Sequence, residues 1–189
     1  MTGTDTPTAA HAPGPDPETE GTFSSLRIPT YRRLWLAGLF TFGAVAMQTT
    51  VRSFLAFDLT QRNSALGLVL LAMGVPMLIF TPIGGIAADR FPKRLVLVIS
   101  ITMMWLPAAF IAGALLADRL EFWMLVGSSV LQGAAFSLMA PTRMAFSAEL
   151  VGRERLTNAI LLAQISMNGT RVLGPSIAGA VIGLSLIHI

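Results

Sequence analysis

The chain contains no cysteine and only two histidines, His11 and His188. Disulfides and thiolate metal sites are therefore excluded, and the redox compartment stays open. The histidines lie at opposite extremes of the chain, so no His-based metal site and no Ser/His/Asp arrangement can be assembled. No Gly-rich phosphate loop with its lysine is present, which excludes an ATP-driven pump within this chain. The expectation is a protein that is not an enzyme, with no cofactor and no metal; an ion or proton gradient is left open as an energy source. Charge is scarce as well. Only 12% of residues are charged, against roughly 25% in soluble domains.

In place of charge there is apolar surface. Hydrophobic residues make up 53% of the chain, and the mean hydropathy is +0.68. The net charge of +3 rests on few residues. It fits basic flanks of membrane segments rather than nucleic-acid binding. Residues 1 to 22 are of another composition, rich in Thr, Pro, Ala and Gly with four acids. They lack a basic start and an apolar core, so they are not a signal peptide. Residues 1–25 read as a disordered cytoplasmic tail.

Five apolar runs follow, approximately Leu34 to Phe57, Ala65 to Ala88, Leu95 to Ala117, Phe122 to Ala140 and Ala159 to Gly183. Each approaches or exceeds the bilayer core. Backbone groups in lipid must be satisfied within the segment, so these are expected to be helices. The fold class is an all-α membrane protein. Asn63-Ser64 offers a cap for the second helix. Pro76, Pro82, Pro107 and Pro175 are tolerated inside membrane helices.

Arginine and lysine set the orientation. Arg27, Arg32, Arg33, Arg90, Lys93, Arg94, Arg153 and Arg155 fall on one side, and Arg62 and Arg119 on the other. By the positive-inside rule, the N-terminus is expected in the cytoplasm. The stretch Gly85 to Arg94 is then a short cytoplasmic hairpin with three cations beside Asp89. Gly84 and Gly85 suit a close approach of neighbouring backbones where the second helix ends.

Ionisable residues inside a bilayer are costly and usually face a cavity or a partner. Arg171 lies mid-way along the fifth run. Gln164, Asn168 and Arg171 share one helical face, either lining a central cavity or bonding between helices. A cationic Arg171 suits an anionic or amphipathic substrate. Thr41, Gln48 and Arg52 form a weaker stripe on the first helix, where Arg52 either lines the path or snorkels to the headgroups. The ten methionines and eleven phenylalanines supply adaptable apolar surface.

The hairpin carries a resemblance. Gly85, Ala88, Asp89, Arg90, Lys93, Arg94 and Leu97 match the loop G-x-L-A-D-R-x-G-R-K-x-x-L of the major facilitator superfamily, with departures at Ala87 and Pro92. The approach Thr30-Tyr31-Arg32-Arg33-Leu34-Trp35 and the outer loop Asp58-Leu59-Thr60 also look like that family. Gly174, Pro175 and Gly179 resemble an exporter signature of helix 5, although Thr170 and Ala178 stand where glycines are common. Over residues 26 to 183 the chain resembles the bacterial exporters grouped with the enterobactin exporter. The resemblance implies helices 1–5 of a twelve-helix secondary transporter, working by alternating access in the bacterial inner membrane. It implies export of a small amphipathic molecule such as a drug or siderophore, with uptake as the nearest alternative and a channel or membrane anchor as rivals of another class.

The resemblance also suggests roles. Asp89 would face the N-terminus of a helix in the second half of the fold. Arg90, Lys93 and Arg94 would pair with Glu149 as a conformational latch, or only fix topology. Helices 1, 4 and 5 would border the path, making Gln48, Arg52, Gln132, Gln164, Asn168 and Arg171 its candidates. Proton-coupled members often carry an arginine four residues before the glycine of a Gln-Gly pair. Here Gln132-Gly133 is preceded by Ser129, with Arg143 lower on the same helix. The last six residues, 184–189, match a translated transposon-end sequencing adapter. On that reading they carry no biology, the C-terminal half is missing, and the fragment is inactive alone. The expected partners are the lipid bilayer, a small-molecule substrate and that missing half.

Overall fold

The computed structural model describes residues 23–187, and side chains through Leu184. Expectations placed on residues 1–22, on His11, on His188 and on side chains 185–189 lie outside the described residues. A short 3-10 turn, Ser24–Arg27, leads into five helices: α1 Pro29–Thr60, α2 Asn63–Arg90, α3 Lys93–Leu116, α4 Phe122–Val151 and α5 Leu156–Ile187. At 1.5 Å per residue, helices of 24 to 32 residues reach about 36 to 48 Å, longer than the hydrocarbon core of about 30 Å. Among the described residues, every regular element is helical.

Helices α1 to α4 are long and apolar enough to cross a membrane. The fifth apolar run forms the helix α5, which carries Gln164, Asn168 and Arg171.

Three boundaries differ from expectation. The tail was expected to run to residue 25, but Ser25 is buried, with its N–H donating to Asn158 Oδ1 at 3.3 Å. The second helix begins on Asn63 itself, with Arg62 at the cap position and no side-chain cap bond. The fourth helix was expected to stop at Ala140, yet α4 continues through Pro141 for about three more turns. Gly152, at φ 75°, is where it stops.

Pro141 lies inside α4. Pro141 has no N–H for the Ser137 carbonyl four residues back. That carbonyl lies directly against Gly84 of α2, where any Cβ would collide with it. Gly133 of α4 meets the Met73 carbonyl of α2 in the same manner. The two glycines bring the α2 and α4 main chains together without side chains between them. No such contact involves Gly85, which faces open space.

The helices α1 and α5 run parallel and in register. Tyr31 meets Ala159, Trp35 meets Leu162, and Ala46 meets Gly174. Phe42 meets Phe136 of α4 in a tilted ring contact, centroids 6.3 Å apart. Three apolar layers fill the bundle, around Leu55 and Leu125 at one end, Met104 and Met139 in the middle, and Tyr31 and Leu162 at the other.

Candidate functional site

More than two turns from any helix end, the ionisable residues are Arg52, Arg143 and Arg171. All three are cations, and each has been placed differently by the fold.

Arg52 does not snorkel. It is 3% exposed. One guanidinium nitrogen donates to Gln132 Oε1 of α4, and the other donates to Gln48 Oε1 at 3.0 Å. Gln132 Nε2 also reaches Gln48 Oε1 at 3.3 Å. The structure thus joins Gln48, Arg52 and Gln132 in one network tying α1 to α4. Both acceptors are neutral amides, which satisfy hydrogen bonding without cancelling the charge. Ser129, one turn from Gln132, is buried and bonded to the Leu125 carbonyl of its own helix.

Arg143 occupies a notch cut by Gly38. A Cβ at Gly38 would fall on the guanidinium. From there Arg143 Nη2 donates to the Leu34 carbonyl at 3.1 Å, and the guanidinium carbon sits 5.0 Å from the centroid of the Phe42 ring, within cation–π range. Sequence reasoning noted Arg143 only as a stand-in for a missing arginine. Its pairing with Gly38 spans 105 residues and two helices, and leaves no periodic signal.

Two cavities open beside it. The first, about 180 Å³, is lined by Phe42, Phe136, Arg143, Ser147, Gln164 and Met167, among others. The second, about 400 Å³, shares Phe42, Phe136 and Met167 with the first and adds Thr49, Thr50, Thr170, Arg171 and Pro175. The shared wall makes them neighbouring compartments among α1, α4 and α5, the second also bordered by Leu70, Met73 and Met77 of α2. Gln164 and Arg171 therefore border the cavities. Asn168 is exposed and borders neither. Gln48 borders a separate cleft of about 90 Å³ with Thr41, Met104 and Trp105. Arg52 and Gln132 line none of the three.

At the hairpin, only Phe91 and Pro92 separate α2 from α3. Asp89, Arg90 and Arg94 are exposed. Lys93 Nζ pairs with Glu149 Oε1 of α4 at 2.5 Å. Arg90 and Arg94 form no ion pair among the described residues. In the helix-5 signature, Gly174 is packed so closely on α1 that a Cβ would stand 2.6 Å from Ala46 Cβ, whereas Gly179 meets nothing.

One contact set was not anticipated. The Tyr31 hydroxyl donates to the Ala159 carbonyl at 2.9 Å, and the Trp35 indole N–H donates to the Leu162 carbonyl at 2.9 Å. The Thr30-to-Trp35 segment is thereby fastened to the start of α5.

Long apolar helices packed through glycine contacts, with Arg52 buried, Arg143 half-buried and Arg171 exposed along them, define a multi-pass helical membrane protein. The family model described as Transmembrane secretion effector matches residues 20–186. The chain belongs to this family, a branch of the major facilitator superfamily transporters. It is 22% identical over 141 residues to YfiS of Bacillus subtilis (strain 168), described as an uncharacterized MFS-type transporter. That match covers 73% of this chain and 32% of the relative, so the chain spans about a third of the relative's length. No solved structure matches.

Proposed function

We propose that this chain is the N-terminal part of a secondary transporter that exports a small amphipathic molecule by alternating access. The protein would sit in a bacterial inner membrane with its N-terminus in the cytoplasm. The observation that carries this reading is the pair of adjoining cavities walled by Phe42, Phe136 and Met167 and edged by Arg143, Gln164 and Arg171. Apolar walls with a few polar points are what small-molecule sites require. Alternating access needs a second bundle rocking against this one, so this chain alone would not transport. The Asp89 hairpin and the Lys93–Glu149 pair are proposed as the latch that holds one conformation.

The test is flux in oriented vesicles containing the full-length protein. Export predicts saturable, gradient-dependent accumulation of a fluorescent amphipath such as anilinonaphthalene sulfonate in inside-out vesicles. Accumulation only in right-side-out vesicles would mean uptake. Linear, non-saturating flux would mean a channel, and no flux in either orientation would leave an anchor.

A further inference from the structure

We infer that the cavity holding Arg143 and Gln164 is the headgroup subsite for an organic anion, whose apolar body lies along Phe42, Phe136 and Met167 toward Arg171. The inference rests on the transporter reading above and narrows its substrate class.

The first ground is charge. More than two turns from the helix ends there are three arginines and no Asp, Glu, Lys or His. A charge inside a bilayer costs at least about 2.5 kcal/mol and is ordinarily matched by a partner. Arg52 is enclosed by two glutamines and borders neither cavity. Arg143 and Arg171 do border them, and no carboxylate lines either one. An anion entering there would offset both cations, whereas a cationic molecule would meet two like charges.

The second ground is unused donors. A guanidinium has five N–H groups, and Arg143 gives one hydrogen bond, to the Leu34 carbonyl. Among the described residues, no buried side-chain nitrogen lacks a partner. The remaining Arg143 nitrogens are thus not fully enclosed, and Arg143 lines the cavity. The neighbouring hydroxyls do not compete for an anion. Ser147 donates to the Arg143 carbonyl and Tyr31 to the Ala159 carbonyl. Gln164 adds an amide from α5 on the same wall.

The third ground is the second compartment. Thr49, Thr50 and Thr170 each direct the hydroxyl hydrogen to a carbonyl of their own helix. Arg171 is thus the charged donor of the larger cavity. It lies seven residues beyond Gln164, about 10 Å along α5. Arg171 edges the compartment that shares the Phe42, Phe136 and Met167 wall with the one holding Arg143.

The test compares two dyes of nearly one skeleton, anilinonaphthalene sulfonate and the uncharged phenylnaphthylamine. Both are titrated into the full-length protein in phosphatidylcholine nanodiscs, with protein-free nanodiscs subtracted. The wild type is expected to prefer the sulfonate. Arg143→Gln should weaken the sulfonate about tenfold, the scale of one lost charge-assisted hydrogen bond, and leave the neutral dye within about twofold. Arg143→Lys, which keeps the charge, should retain most of the preference. If Arg143→Gln does not accumulate, Arg171→Gln and Gln164→Leu give the same comparison. Equal weakening of both dyes, or a wild type that binds both alike, would overturn the anion subsite and leave the transporter reading standing. Binding of neither dye would overturn both.

Discussion

The Arg52 guanidinium of α1 is shared between the side-chain carbonyls of Gln132 on α4 and Gln48 one turn below it. A buried cation is thus held by two neutral acceptors across a helix interface. Gln132→Leu removes one acceptor and leaves the charge in place, and should lower stability by about 1.5 to 3 kcal/mol. Adding Arg52→Met removes the charge as well and should recover part of that loss, as a double-mutant cycle would show. Unfolding of the purified full-length protein in mixed detergent measures both. Equal, additive losses would mean that the two side chains do not interact.

The α2–α4 seam makes a sharp positional prediction. Ala at Gly84 or Gly133 drives a methyl group into the Ser137 or Met73 carbonyl. Main chain cannot step aside as a side chain can, so a loss of about 1 to 3 kcal/mol is expected at each. Gly85→Ala, one residue away and facing open space, should be nearly neutral. Folded yield after membrane extraction, read for the three variants together, checks the ordering.

At Gly38 the obstacle is movable. An alanine there displaces the Arg143 guanidinium and breaks its bond to the Leu34 carbonyl and its contact with Phe42. The expected cost is about 1 to 3 kcal/mol. In an Arg143→Ala background the same substitution should be close to neutral, because nothing remains to displace. A cost for Gly38→Ala that stays the same in that background would place the constraint elsewhere.

Lys93 and Glu149 separate stability from mechanism. The pair is only partly buried, so Lys93→Met should cost less than about 1 kcal/mol. If the pair is a latch, transport by the full-length protein should fall far more than stability does. The charge-swapped double variant, Lys93→Glu with Glu149→Lys, should restore part of it. Asp89→Asn is expected to impair transport at normal expression. Unchanged flux in that variant would remove the latch.

Much of the helical scaffold could be read from residues alone, because lipid allows few backbone solutions and apolar length reports them directly. The last turns of α4 could not. Pro141, Arg143, Ser147 and Glu149 look like a boundary, yet α4 runs on through Pro141 to Val151. The polar stripe on α5 was visible from spacing, since Gln164 and Arg171 share a face by helical geometry. The link from Arg52 to Gln132 and the notch for Arg143 were not. Each joins residues on different helices, and spacing within one helix carries no information about its neighbour.

Tyr31 and Trp35, one turn apart on α1, hold carbonyls one turn apart on α5. Two pins in matching register forbid lengthwise slippage, and Gly174 seated on Ala46 further along keeps the same two rods flush. A shift of either helix along its axis would have to undo both fastenings and that seat together.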